Sequence, residues 1–381
     1  MMLQSYKPTL ISIFLVILLF ISAKTNSQVS DNQYVLLYQA FDRTTEQFML
    51  RTIDLNGVTT SFDQLTSGYG DILISPDRSR ILIEDLDGSY YVFDASNKLL
   101  ADFTLFQDTD AYLNSIWGWK DNETIVAFEV SGSHIRFYES SDYFISSRKL
   151  FEIESIDSTQ DDLPNFSPFL LSINHDFTII ASPLIFANKA TEVNSAVPQL
   201  FVWNIASGNI RLIDSFLYPA EWWNIPIRSA PIWTSHDTLV YLSHDGSYDT
   251  QRLNLFDVSS GENRQIYELQ CPTCHFISNL AWNSVDSEIV FWEPKPQLGW
   301  SLTSIKLDSG ETTNIFAATT SPTSIHFSPD TRYIATAIVG DTSAIVVLDA
   351  KTRNMLMKHV VAEENLEVIG WIQVSCGGFT E

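Results

Sequence analysis

One short phrase returns along the chain: an apolar strand, a tight Ser-Pro-Asp turn, and another apolar strand. Ser75-Pro76-Asp77 and Ser328-Pro329-Asp330 are the clearest copies, entered by the runs 71–74 and 324–327. Asn174-His175-Asp176, Ser235-His236-Asp237 and Asn283-Ser284-Val285-Asp286 are looser copies. A second turn alternates with the first: a strand ends in Asp or Asn, a Ser/Gly turn follows, and a new strand begins. Its copies are Ile53-Asp54 with Asn56-Gly57, Trp203-Asn204 with Ser207-Gly208, Phe256-Asp257 with Ser260-Gly261 and Leu307-Asp308 with Ser309-Gly310. Phe93-Asp94 and Leu348-Asp349 lead into versions without Gly. Glycine suits these turns because tight hairpins need positive φ. The flanking runs, such as Leu200-Phe201-Val202-Trp203, are β-branched and aromatic, and helical spacing is nearly absent.

Aligned on the first turn, innermost strands begin near Asp71, Ser115, Pro168, Ala230, Ser278, Ser324 and Glu367. The intervals, roughly 43 to 62 residues, are those of four-stranded sheets repeated around a ring. Residues 367–372 read as an innermost strand with no outer strands after it. Residues 34–64 read as three outer strands with no inner strand before them. Joining the two completes a seventh sheet and removes the exposed edges that would template aggregation. The expected fold is all-β. It is a β-propeller of seven four-stranded blades over residues 34–373, closed by pairing the C-terminal strand with the N-terminal strands, followed by a tail at 374–381.

On these Ser-Pro-Asp and Asp-x-x-Ser-Gly turns the chain resembles the TolB-type and WD-repeat-like propellers over residues 34–373. The resemblance implies the fold and leaves the ligand open. TolB-type proteins carry an α/β domain before the propeller, and the residues before Tyr34 are too few for one. The Gly-His and Trp-Asp signatures of WD repeats are missing, Trp203-Asn204 being the nearest approach. Propeller-bearing peptidases are similar too, but no Gly-x-Ser-x-Gly nucleophile elbow occurs.

Lys7 precedes a nearly unbroken apolar run at 10–21 that ends in Ser22-Ala23. A membrane-spanning helix needs about 20 apolar residues. The run is therefore expected to be a secretory signal over residues 1–23, cleaved after Ala23 or Ser27, with 24–33 a linker. An uncleaved anchor is the alternative, and only then is the membrane a partner. Either way the propeller is expected outside the cytoplasm: secreted, periplasmic or at the cell surface. The net charge of -24 repels phosphate backbones and argues against nucleic acid. Asn122-Glu123-Thr124 and Asn165-Phe166-Ser167 match the N-glycosylation acceptor, which matters only in a eukaryotic source.

Loops between the second and third strands, and from one blade to the next, share one face of a propeller. Those at 155–167, 183–198, 215–228, 244–251, 270–276 and 293–299 are extended and are expected to rise over one side of it. Long loops on a rigid scaffold are where binding resides. Glu221, Trp222 and Trp223 set two aromatic faces beside a carboxylate, which suits a sugar ring, a peptide or a cationic ligand. One tryptophan packed beneath its loop is the plainer alternative. His244 and Asp245 offer an acid/base pair, although Asp245-Gly246 is also an ordinary turn dipeptide. Asp85-Leu86-Asp87-Gly88 reads as a hairpin before it reads as a metal site. Asp157, Asp161 and Asp162 supply hard oxygens for Ca²⁺ but lack the spacing of a calcium loop, so a solvated acidic loop is preferred.

Cys271-Pro272-Thr273-Cys274-His275 is the sharpest chemical motif. Its pattern is that of c-type haem attachment, two thioethers with His275 as axial ligand. A short inter-strand loop offers no enclosing apolar pocket, so a Cys271–Cys274 disulfide in an oxidising compartment is the expected state. Zinc on the two thiolates, His275 and a fourth ligand such as Cys376 is a further alternative. The expected function is a non-enzymatic module that binds a protein, peptide or glycan through Glu221, Trp222, Trp223, His244 and Asp245, with no resident cofactor, metal or catalytic residue. The competing class is an enzyme: a glycan-active hydrolase or lyase using Glu221 and Asp245, or a haem-dependent oxidoreductase using the cysteine motif.

Overall fold

A computed structural model describes residues 34–61, 69–85, 87–105, 113–131, 134–154, 165–166, 172–174, 176–186, 197–205, 207–215, 230–244, 250–270, 277–296, 299–340 and 342–374. These form seven antiparallel sheets. The N-terminal strands β1 (Tyr34–Asp42), β2 (Gln47–Ile53) and β3 (Thr59–Ser61) belong to the closing blade. Blade 1 is β4 (Tyr69–Ile74), β5 (Arg80–Asp85), β6 (Ser89–Asp94) and β7 (Leu99–Thr104). Blade 2 is β8 (Leu113–Trp119), β9 (Ile125–Ser131), β10 (His134–Ser140) and β11 (Arg148–Glu154). Blade 3 is β12 (Asn165–Phe166), β13 (Ser172–Ile173), β14 (Ile179–Phe186), β15 (Val197–Asn204) and β16 (Ile210–Ser215). Blade 4 is β17 (Ile232–Trp233), β18 (Thr238–His244), β19 (Thr250–Asp257) and β20 (Asn263–Gln270). Blade 5 is β21 (Ser278–Asn283), β22 (Glu288–Lys295), β23 (Gly299–Lys306) and β24 (Thr312–Ala318). Blade 6 is β25 (Ser321–Phe327), β26 (Tyr333–Val339), β27 (Ser343–Asp349) and β28 (Met355–Val361). β29 (Glu364–Gln373) pairs with β1 and completes blade 7 in the order β29-β1-β2-β3.

The ring closes through its core. Each pair of neighbouring blades shares one apolar cluster among the described residues. Leu37, Leu50 and Ile372 of blade 7 meet Ile81, Ile83 and Phe93 of blade 1. Leu82 and Val92 of blade 1 meet Ile125 and Ala127 of blade 2. Phe128 and Phe137 of blade 2 meet Ile180 and Phe201 of blade 3. Corresponding clusters join blades 3 to 4, 4 to 5, 5 to 6 and 6 to 7. Successive strand residues point to opposite faces. A blade packed on both sides therefore needs apolar residues at odd and even positions alike. Ile81-Leu82-Ile83 and Ile289-Val290-Phe291-Trp292 meet that demand, and all seven residues are fully buried.

The first turn is built on its serine. The Ser75 hydroxyl accepts the Arg80 backbone N–H at 2.9 Å and donates to Asp77 at 2.7 Å. Ser328 does the same with Tyr333 and Asp330 at 3.0 and 2.6 Å. In blade 3 the Asn174 carboxamide replaces the hydroxyl and accepts from Ile179 N–H at 2.9 Å. The fourth residue of each turn adopts positive φ: Arg78 at 65°, Phe177 at 60° and Thr331 at 57°. In blade 4 the turn closes one residue earlier than the sequence suggests, Thr234 N–H donating to Thr238 at 2.9 Å.

The second turn comes in two lengths, closed by Asp54 and Asp94 N–H on the carbonyls of Val58 and Lys98, and by Asn204, Asp257 and Asp349 N–H on those of Asn209, Glu262 and Asn354, and each length occurs with and without glycine. Gly57, Gly208, Gly261 and Gly310 share positive φ with Asn97 and Arg353, at 66° and 62°. Asp257 and Asp349 cap their turns, and the backbone N–H groups of Ser260 and Thr352 hold their carboxyls below the usual range. One sequence alignment shifts: Lys306, not Asp308, stands at the capping position, its N–H donating to Glu311 at 3.0 Å.

The innermost strands begin within a few residues of their expected starts. Blade 3 differs in that its inner place is taken by the two short segments β12 and β13, both paired with β14.

Candidate functional site

Antiparallel order puts the two turn families at one end of every blade. The second-to-third-strand hairpins and the blade-to-blade crossings lie at the other end. Two of the expected loops there are shorter than the sequence suggests. β14 and β15 stay paired to Phe186 and Val197, with Pro183 opposite Leu200 and Pro198 opposite Ile185, leaving 187–196. β22 and β23 stay paired to Lys295 and Gly299, leaving 296–298. A proline within a ladder loses only its own donor, and the register continues past it. His244 ends β18 opposite Gln251, so that loop is 245–249.

Of the proposed contact, cysteine-motif and acidic-loop residues, His244 alone falls on a described strand, with its side chain outside the description. Glu221, Trp222, Trp223, Asp245, Cys271, Cys274, His275, Cys376, Asp157, Asp161 and Asp162 lie outside the described residues. The structure describes the roots of their loops, and those roots are tied together by buried polar contacts.

The Tyr241 hydroxyl donates to Asp214 Oδ2 at 2.9 Å, joining β18 to the strand that enters the 216–229 loop. Burial pushes that phenol's pKa up. Buried Gln251 accepts the Ile277 N–H at 2.7 Å, joining the 245–249 hairpin to the exit of the 271–276 loop. Glu293, 4 % exposed, accepts from Thr303 Oγ1 at 2.9 Å and pairs with Lys295. Tyr267 of blade 4 hydrogen-bonds the same carboxylate, and burial followed by the Glu293 charge raises its pKa. The loop ends of blades 3, 4 and 5 are thus fixed relative to one another.

A second polar group lies at the loop end between blades 1 and 2. Glu84 accepts from the Tyr90 hydroxyl at 3.0 Å. Burial raises the Glu84 carboxyl, the Tyr90 bond lowers it in part, and the charge of Asp71 raises it further. Asp71 is exposed as a whole residue, yet desolvation raises its carboxyl as well. Glu129, 3 % exposed, accepts from Arg136 at 2.8 Å and from the Tyr138 hydroxyl at 3.0 Å. Sequence reasoning missed Glu84, Glu129 and Glu293. The available signal was a carboxylate closing an otherwise apolar strand, as in Ile125-Val126-Ala127-Phe128-Glu129 and Ile289-Val290-Phe291-Trp292-Glu293. At Asp85-Leu86-Asp87-Gly88 the hairpin is present: Gly88 has φ of 80°, and its N–H donates to Asp85 at 2.9 Å. No group of three or more His, Cys, Asp or Glu among the described residues is placed to hold a metal ion.

No protein-family model matches the sequence, and no curated protein matches it. Solved structures are similar in fold. An oligogalacturonate lyase from Vibrio parahaemolyticus is 13 % identical, with 88 % of this chain and 87 % of that one covered at a TM-score of 0.55. A putative 6-phosphogluconolactonase from Bacteroides fragilis is 12 % identical, with 92 % and 100 % covered at 0.53. TolB from Acinetobacter baumannii is 9 % identical, with 92 % and 69 % covered at 0.49. The class the fold defines is the seven-bladed β-propeller, with the TolB-type resemblance at the level of fold.

Proposed function

We propose that this chain is an exported propeller that binds a protein, peptide or glycan on its loop-bearing end and performs no chemistry on it. The observation that supports this reading is the set of buried ties Tyr241–Asp214, Gln251–Ile277 and Tyr267–Glu293. They hold the roots of the 216–229, 245–249, 271–276 and 296–298 loops of three adjacent blades in one fixed arrangement. Preorganised loops lower the ordering entropy that binding costs. Glu221, Trp222, Trp223, His244 and Asp245 are the proposed contacts, and Cys271–Cys274 the proposed disulfide bracing their neighbour loop. The apolar run at 10–21 supports export.

The second reading is an enzyme. It is favoured by the carboxyls of Glu84 and Asp71, raised in pKa as an acid catalyst requires. The names of the similar lyase and lactonase belong to those proteins, and the likeness carries the fold alone. A Glu221→Ala/Asp245→Ala variant separates the classes. Lost affinity with the ligand recovered intact supports the module. Turnover lost while affinity is retained supports the enzyme.

A further inference from the structure

The turn-bearing end of the ring carries an apolar arc. Nine large apolar side chains stand exposed among the described residues, and six of them gather at the second turns of four consecutive blades. Met355 and Leu356 open β28 in blade 6, Val58 ends the turn before β3 in blade 7, Leu99 and Leu100 open β7 in blade 1, and Ile145 lies in the 141–147 turn of blade 2. The other three, Leu212, Val285 and Val360, are scattered. None of the six belongs to the clusters that join the blades. Leu99 pairs with Phe93 as Met355 pairs with Leu348, so blades 1 and 6 place an apolar pair at the same position. Blades 4, 5 and 7 place Asn263-Arg264, Thr312-Thr313 and Thr59-Thr60 there.

Cations stand beside these side chains. Lys98 precedes Leu99, and Lys351 and Lys358 bracket Met355 and Leu356. All three lysines are exposed and make no ion pair among the described residues, in a chain with 46 acidic against 22 basic Lys and Arg residues. The aspartates of the same turns are turned toward the backbone. Asp54 accepts from Val58 N–H at 2.8 Å, Asp94 from Lys98 N–H at 3.0 Å and Asp349 from Thr352 N–H at 2.6 Å. The chain also enters the ring at this end. Tyr34, the first residue of β1, stands opposite Gln373, whose N–H donates to the Arg78 carbonyl in the first turn of blade 1 at 2.9 Å. That entry lies in blade 7, inside the apolar arc, and the apolar run at 10–21 is within about 40 Å of extended chain upstream of it.

We propose that this rim lies against a phospholipid bilayer, with the apolar side chains entering the headgroup layer and Lys98, Lys351 and Lys358 reaching lipid phosphates. Apolar side chains gain by leaving water at such an interface. A lysine there lays its stem on apolar surface and keeps its charge among the phosphates. An apolar run of membrane-targeting character leads into this arc and into no other part of the ring. That favours lipid over a second copy of the chain as what covers the rim. In this pose the loop-bearing end points away from the bilayer and stays open to ligand.

The test titrates the full chain, carbon-13-labelled at its methionine methyls, with phosphatidylcholine nanodiscs that carry a gadolinium-chelate lipid. Met355 lies on the rim, whereas Met49 lies near the loop-bearing end of β2 in blade 7, so one chain holds both probe and control. Expected is broadening of the Met355 methyl signal at lipid concentrations that leave Met49 sharp. Leu100→Ser/Leu356→Ser, at two exposed positions, should need about tenfold more lipid for the same broadening, with near-ultraviolet circular dichroism unchanged. Val285→Ser, exposed on the first turn of blade 5 and outside the arc, should behave as wild type. Met49 broadened before Met355, or Met355 broadened equally in wild type and double variant, would overturn the proposal. So would a lipid-free dimer in sedimentation that the double variant abolishes, which would assign the rim to a second copy of the chain.

Discussion

Acidification destabilises this ring through one imidazole. Burial, then the charge of Arg78, lowers His326 from the usual 6.5 to about 4, opposed in part by the Val368 hydrogen bond. The unfolded chain therefore takes up a proton at this position as pH falls through 6.5, and the folded chain does not until about 4. Stability is lost across that window, and linkage sets the loss between pH 7 and pH 5 at about 2 kcal/mol. Asp71 and Glu84 act with the opposite sign, because their raised pKa values let the folded state gain protons first. The measurement is accordingly a difference: urea unfolding of wild type and of His326→Asn, at both pH values. Asparagine keeps a donor toward Val368 and does not titrate. Wild type should lose about 2 kcal/mol more than the variant over this interval. Equal losses in the two proteins, or an imidazole titrating near 6.5 by NMR, would refute the reasoning.

Other perturbations have equally definite outcomes. Glu288, 1 % exposed, receives Arg353 Nη2 at 2.6 and 2.8 Å across the blade 5–6 boundary. Arg353→Met leaves that charge buried and should cost about 3–5 kcal/mol in chemical unfolding, with Glu288→Gln restoring part of the loss in the double variant. Ser328→Ala strands the Tyr333 N–H and should cost about 1–3 kcal/mol, whereas alanine at exposed Ser309 should be neutral within about 0.5 kcal/mol. Gly299→Ala forces positive φ on a residue whose Cβ would lie 2.5 Å from the Ala318 carbonyl oxygen, so the thermal midpoint should fall and the variant should express poorly. Intact mass of the exported protein should show a chain cleaved after Ala23 or Ser27 and two hydrogens short of the reduced form. A haem-sized increment there would instead establish the oxidoreductase reading.

The scaffold was legible because its determinants are local and repeated. Ser75 and Ser328 each make the same two hydrogen bonds, and a hydroxyl two residues before an aspartate can be recognised by eye. The seventh blade was legible from incompleteness at both ends, since β1 to β3 lack an inner strand until β29 supplies one. Thr234 and Lys306 were misaligned because hydrogen-bond register, not residue type, defines those turns. The prolines 183, 198 and 294 read as loop residues, yet strand pairing runs past each of them. Glu84, Glu129 and Glu293 left only a faint mark, a carboxylate closing an otherwise apolar strand. Each takes its character from residues on a neighbouring strand or blade, and nothing in the local sequence records how the ring brings them together.

Binding without chemistry at the loop-bearing end is the proposal on which the rest depends. The most direct test applies wild type and a Trp222→Ala/Trp223→Ala variant to glycan and peptide arrays, with mass spectrometry of whatever is retained. Expected are one retained ligand class, an affinity about tenfold or more weaker in the variant, and ligand recovered chemically unchanged. Ligand recovered as cleavage products, or retained equally by both proteins, would contradict it.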